Sequence, residues 1–152
     1  MARSKEASSL SLRERALNLL ARREHSRAEL ARKLAAYGEA DEIAALLDRL
    51  EARNHLSDAR YAEAVRHARS GKYGSRRLAH ELREKGVSET LVESAVAEAR
   101  ESDLSVARAA WAKKFGVLPA DAKERARQHR FLLGRGFPAE IVRRVVGGGE
   151  DD

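Results

Sequence analysis

The 152-residue sequence contains no cysteine, two prolines, one tryptophan and only 5% aromatic residues. Without cysteine there is neither a disulfide framework nor a thiolate metal site, and a cytoplasmic protein is the simplest reading. With so few aromatics, the 43% of hydrophobic residues must build cores mainly from Leu, Ala and Val, and few breakers interrupt them, so the expected fold class is all-α. No apolar run approaches the roughly 20 residues of a membrane span. The opening Met-Ala-Arg-Ser-Lys-Glu-Ala-Ser-Ser also lacks the apolar stretch of a signal peptide, so a soluble protein without a membrane partner is expected.

Catalytic signatures are missing as well. Gly71-Lys72-Tyr73-Gly74-Ser75 has the residue types of a phosphate loop in the wrong order, and Gly134-Arg135-Gly136 lacks the strand context of a dinucleotide site. His25, His55, His67, His80 and His129 form no H-E-x-x-H or close ligand pair and read as solvated side chains. There is no G-x-S-x-G elbow. The sequence therefore predicts no enzyme activity, no metal and no cofactor.

What the chain does have is a repeat. Gly38, Gly86 and Gly136 each follow a leucine four positions earlier, Leu34, Leu82 and Leu132, and lie 48 and 50 residues apart. Segments this short bury too little surface to fold securely alone, so copies must share cores in an extended array. Formal charge is +6, and its sign alternates with the repeat: Arg60 to Ser88 carries eight basic and three acidic residues, Glu89 to Asp103 one and five. Such a balance leaves a polyanion or an acidic protein groove as the partner.

Each copy reads as three short helices. In the first, Ala16, Leu17, Leu20 and Ala21 share a face, Ser26 and Glu29 form a capping box, and Asp41 can cap a third helix with Ile43, Leu46, Leu47 and Leu50 inside. In the second, Ser57-Asp58 opens a helix burying Tyr61, Val65 and Ala68. Ser75 caps the next helix, which pairs Glu81 with Lys85 and stops at Gly86, and Ser88 restarts the chain for Leu91, Ala95, Val96 and Ala99. In the third, Ala107, Ala110 and Trp111 precede Lys113-Lys114-Phe115-Gly116, Asp121 and Glu124 make a second capping box, and Pro138 suits the first position of a last helix. The boundaries expected are tails at 1–10 and 147–152 around repeats at 11–55, 56–101 and 102–146.

Arg66, Arg69, Lys72, Tyr73, Arg76 and Arg77 cluster around the loop into the second helix of the middle copy. One reading is a solvated charged face; the other is a binding surface. Repetition favours the second, because Lys113, Lys114 and Phe115 occupy the same place in the third copy, followed by Arg127, Arg130 and Arg135. Phe115 and Trp111 read as core, and Tyr73 as either core or a stacking surface.

His25-Ser26, Glu29-Leu30, Lys33-Leu34, Leu56-Ser57-Asp58, Arg60-Tyr61, Tyr73-Gly74, Arg77, Glu81-Leu82, Lys85-Gly86-Val87-Ser88, Lys114-Phe115-Gly116, Arg130-Phe131-Leu132-Leu133 and Arg135-Gly136 form an ordered set. In that order they resemble the RecX family of bacterial RecA regulators, over roughly Ala16 to Val146. The resemblance implies three tandem three-helix repeats in an elongated, curved array, lying in the groove of the RecA filament on single-stranded DNA. It implies an inhibitor, not an enzyme, that restrains ATPase, strand exchange and coprotease activities by groove binding or by blocking filament extension. Arg69, Tyr73, Arg77 and Lys85 correspond to the family's central basic pattern. The alternative is a sequence-independent module that binds single- or double-stranded DNA directly. A monomer is expected in either case.

Overall fold

The computed structural model describes residues 9–148, and every regular element among them is an α-helix. In order these are α1 (Leu12–Arg22), α2 (Arg27–Leu34), α3 (Ala40–Ala52), α4 (Asp58–Arg69), α5 (Ser75–Glu84), α6 (Glu89–Lys114), α7 (Ala122–Gly134) and α8 (Ala139–Val146). Most of both expected tails, residues 1–8 and 149–152, lies outside the described residues. None of the helices described is long and apolar enough to cross a membrane.

Three helices per repeat would give nine, but the third helix of the middle repeat and the first helix of the last run on as one. α6 spans 26 residues, because no glycine or proline stands between Gly86 and Gly116 to break it. The expected boundary after residue 101 therefore falls inside a continuous helix.

The described chain divides into two compact units, one of residues 9–64 with Lys85–Val87, the other of Val65–Glu84 with residues 88–148. In the first, Ala16, Leu30, Leu34, Ile43, Leu46, Leu47, Leu50 and Leu56 make one buried cluster. In the second, Ala107, Leu132, Phe137, Val142, Val145 and Val146 make another, with Trp111 and Phe131 packed against it. Most of the expected inward faces are buried or half-buried; Ala21 and Ala68 are exposed, and Ala62 is buried in place of Ala68.

Local start and stop signals act largely as read. Ser11 and Glu14, not among the caps expected from the sequence, form a reciprocal capping box on α1. Ser57 caps α4 and Ser88 caps α6. Gly86 takes a left-handed φ of +76° as α5 ends. Asp41 is no N-cap: α3 starts at Ala40, with Glu39 at the cap position and Glu42 accepting its backbone N–H at 3.1 Å. Pro138 sits at the N-cap of α8, one residue before the position expected.

Two corrections share one cause, a partner far away in sequence. Ser26 accepts the Glu29 N–H at 3.1 Å, but the Glu29 side chain does not close the box. It is 4% exposed and takes Arg23 through both oxygens, with Lys33 and Lys85 each 3.7 Å away. Lys85 is thus committed to Glu29, and its expected partner Glu81 is held by both arms of Arg69, at 2.8 and 2.9 Å.

His25 is 2% exposed, not solvated. Its Nδ1 lies 3.1 Å from the Arg23 carbonyl oxygen, which can only accept, so Nδ1 carries the proton and Nε2 accepts from the Lys33 ammonium at 3.0 Å. The Lys33 ammonium requires a neutral ring, and burial lowers its pKa from the ordinary 6.5. Burial alone would raise Glu29, but the Arg23 hydrogen bonds and the surrounding positive charge outweigh it and bring the carboxyl down to about 2. Both shifts have the same sign of consequence. His25 removes stability as pH falls below 6.5, and Glu29 holds its full contribution above 4.5 and loses it toward pH 2. Acid titration followed by circular dichroism should show a two-step loss, with the Glu29 step worth at most about 3 kcal/mol and reduced in Glu29→Gln.

Candidate interaction surface

The second helix of each of the first two repeats is held at its N-terminus by the repeat that follows. The Arg27 N–H at the start of α2 donates to Asp58 at 2.7 Å, and the Ser26 hydroxyl donates to the Lys85 carbonyl at 2.6 Å. At the start of α5 the Ser75 N–H and hydroxyl donate to Asp103 at 3.0 and 2.6 Å, and the Gly74 N–H donates to the Arg135 carbonyl at 2.9 Å. Ser75 is therefore not its own helix's cap. Asp58 and Asp103 do that work from the first helix of the next repeat, and the recurrent Ser-Asp pairs at 57–58 and 102–103 are the sequence signal for it.

Asp103 is 3% exposed, so truncation strands a buried donor pair. Asp103→Ala should lower the stability of the second unit by about 2–4 kcal/mol, with Asp103→Asn intermediate, read from urea unfolding of Trp111 fluorescence. Trp111 is the only tryptophan in the chain, and it is fixed by an indole hydrogen bond to Gln128 at 2.8 Å.

The α5 junction also brings two basic loops of the second unit together. Gly74 and Gly136 approach so closely that a Cβ on either would overlap the other's loop, and Arg76 N–H donates to the Gly136 carbonyl at 2.9 Å. Arg135 reaches across to the Lys72 carbonyl at 3.3 Å.

On this zipped pair stands a row of alternating cations and rings. The Arg77 guanidinium lies 3.9 Å from the centre of the Tyr73 ring, and Arg135 lies 5.9 Å from Tyr73 and 5.2 Å from Phe131. Phe131 meets Phe115 edge to face at 5.4 Å. Lys114 stands over Phe131 at 5.6 Å and Arg127 over Phe115 at 5.2 Å. Phe115 is half-buried as part of this row. One face of Tyr73 carries Arg77, so the ring serves first to hold a guanidinium.

Of the twelve expected site residues, Arg77, Tyr73, Arg135, Lys114 and Arg127 are joined in this row, and Lys72 adjoins it through its carbonyl. Lys72, Arg76, Arg77, Lys113, Lys114, Arg130 and Arg135 form no ion pair among the described residues. Arg127 pairs with Glu124 within its own helix at 3.0 Å. Arg66 and Arg69 are braces rather than open cations: Arg66 meets Glu98 at 3.2 Å and Arg69 grips Glu81. Lys85 belongs to the first unit, with Glu29. Chemically, the row offers the forked donors of Arg77 and, beyond its bond to the Lys72 carbonyl, of Arg135, neither paired with a carboxylate among the described residues and both suited to carboxylate or phosphate.

Comparisons with known proteins agree with this architecture. The family models for the first, second and third three-helix domains of RecX match residues 13–50, 57–96 and 101–146. The chain is 50% identical over 143 residues to the regulatory protein RecX of Chromobacterium violaceum, covering 93% of each chain. It is 45% identical to that of Pseudomonas syringae pv. tomato, covering 94% of this chain and 95% of the relative. Among solved structures, RecX from Lactobacillus salivarius superposes with a TM-score of 0.72 at 20% identity, over 90% of this chain and 93% of that one.

Proposed function

The chain belongs to the RecX family of regulatory proteins, and we propose that it binds the RecA nucleoprotein filament on single-stranded DNA and restrains RecA. It would do so in the cytoplasm, as a monomer without catalysis of its own, in homologous recombination, DNA repair and the SOS response. The observation that carries this reading is the row from Arg77 through Tyr73, Arg135 and Phe131 to Lys114. Its cations are pre-positioned on rings and unspent on internal carboxylates, so they can meet an acidic protein groove or filament-bound phosphate without first breaking a salt bridge. Three modules, at 11–55, 56–101 and 102–146, contacting successive RecA protomers would add avidity, since later contacts become intramolecular.

The test is RecA ATPase on single-stranded DNA as this protein is titrated from well below stoichiometry, with strand exchange and coprotease cleavage beside it. Inhibition at small molar ratios supports a filament-directed regulator; no inhibition at equimolar protein overturns it. The unpaired cations of the second unit also favour direct DNA binding as a second reading. Neutralising Z phosphates would give a log-log salt slope of about −0.7Z on single strands and about −0.9Z on duplex. If the filament is inhibited where free DNA is barely bound, direct binding is not the primary function.

A further inference from the structure

The loop between α6 and α7 carries the most exposed large aliphatic side chains of the described chain. Val117 is 72% exposed and its neighbour Leu118 51%. The other exposed large apolar residues, Leu10, Tyr37 and Leu133, stand singly in the sequence. Scattered apolar residues are ordinary on a protein surface, whereas contiguous ones mark contact sites.

Polar groups inside the second unit fix this loop. Gly116 turns it with φ +70°, and its N–H donates to the Trp111 carbonyl at 3.2 Å. Gln128, 1% exposed, donates to the Val117 carbonyl at 3.0 Å and accepts the Trp111 indole N–H at 2.8 Å. Leu118 lies beside Gly148, where an added Cβ would come within 3.1 Å of a Leu118 methyl carbon. A buried amide is thus spent on holding out two side chains that the core does not use. Groups already held in place lose little freedom on binding, which favours affinity.

The charge free to act beside the pair is positive. Residues 113–127 carry five basic and two acidic side chains. Both acids are engaged: Asp121 accepts the Glu124 N–H at 2.8 Å, and Glu124 pairs with Arg127 at 3.0 Å. Lys113, Lys114, Lys123 and Arg125 are exposed and form no ion pair among the described residues. Lys114 and Phe115 belong to the cation row, so the pair begins two residues beyond it. An apolar centre with unspent cations beside it has the layout of a protein interface. Bases stack on flat rings; a valine and a leucine fill pockets between packed side chains.

We propose that Val117 and Leu118 are an apolar anchor that enters an aliphatic pocket on a protein partner, bordered by carboxylates that meet Lys113 and Lys114. The inference rests on the reading of the chain as a filament-directed regulator and deepens it: at this end of the row the contact is with the protein of the filament, not with its DNA.

Val117→Lys gives the two partners opposite signs. Against an aliphatic pocket it should raise the ratio of protein to RecA needed for half-inhibition of the ATPase about tenfold, the loss of one interface anchor, and Val117→Leu should stay close to the original protein. A phosphate contact predicts the reverse, since an added cation strengthens it. Trp111 fluorescence and circular dichroism check that the loop and helices are retained, because Gln128 holds the Val117 backbone and not its side chain. The chain has no cysteine, so Val117→Cys accepts one polarity-sensitive thiol dye. Its emission should shift to the blue on RecA filaments and stay unchanged on single-stranded DNA alone. An equal shift on bare DNA would assign the pair to an aliphatic wedge between bases, and a shift on concentrating the labelled protein alone would assign it to a second copy of the chain; either overturns the proposal. Inhibition that Val117→Lys leaves unchanged or strengthens removes the proposal and leaves the regulator reading intact. No inhibition by the original protein removes both.

Discussion

Arg77→Glu combined with Arg135→Glu is expected to raise the ratio of protein to RecA needed for half-inhibition of the ATPase at least tenfold, roughly the loss of one strong interface anchor. These two side chains flank Tyr73, and Arg135 also covers Phe131. Neither forms an ion pair within the described chain, so reversal breaks cation–π contacts worth about 0.5–1 kcal/mol each and the Arg135-to-Lys72 hydrogen bond, and helicity should be retained. Arg69 makes a poor probe for the opposite reason: it grips Glu81 through two nitrogens, and reversal there would set two carboxylates against each other inside the unit. A charge-matched control is Arg143→Glu with Arg144→Glu on the exposed side of α8, which makes the same change in net charge. If the control loses inhibition equally, long-range charge is responsible and the row has no special role.

Which residues make contact was legible in the sequence wherever the contact is local. Ser57, Ser88 and Asp121 cap helices within three residues of themselves, and leucines at helical spacing fill the first core. The left-handed glycines at 86, 116 and 136 follow helix ends because no other residue adopts that backbone as cheaply. The cation row was legible only as a composition, basic loops at Tyr73 and Phe115 and the arginines through to the loop at Arg135-Gly136. That the loops touch depends on the Gly74–Gly136 approach, which links positions 62 residues apart.

Four of the misses share one physical origin. Glu29, Glu81, Ser75 and Asp58 are residue types that satisfy a neighbour in sequence, and each satisfies a distant partner instead. A local pair on an exposed helix contributes only a few tenths of a kcal/mol, so a better-buried partner brought near by folding wins. The third repeat differs at the start of its second helix. α7 is capped from within its own repeat by Asp121, which accepts the Glu124 N–H at 2.8 Å. Asp121 can no longer donate as Ser26 and Ser75 do. The residues preceding it are folded back, with Gln128 donating to the Val117 carbonyl at 3.0 Å.

Gly136→Ala tests the junction on which the row depends, and it should be among the most damaging single substitutions in the second unit. Gly136 has φ +89°, and an added Cβ would fall onto Arg77, 2.7 Å from its backbone nitrogen and 3.0 Å from its Cα. The left-handed conformation costs an alanine about 1–2 kcal/mol. Relief of the overlap would part the two loops and weaken the Gly74-to-Arg135 and Arg76-to-Gly136 backbone hydrogen bonds, at about 1 kcal/mol each. A total near 3 kcal/mol lowers the midpoint of a unit this size by roughly 10–20 °C, visible in Trp111 fluorescence. Gly71 separates the two causes, because its φ is also left-handed, +77°, yet nothing lies within 4 Å of its would-be Cβ. Gly71→Ala should therefore cost only the backbone strain, about 1–2 kcal/mol, and leave inhibition of RecA intact. Gly134→Ala, in helix α7 with open space around it, should be neutral or stabilising by up to about 1 kcal/mol. If Gly136→Ala costs no more than Gly71→Ala and inhibits as well, the contact between the two loops is not what aligns Arg77 with Arg135. If it loses both stability and inhibition while Gly71→Ala loses neither beyond strain, alignment of the two loops is a requirement for function and not a by-product of packing.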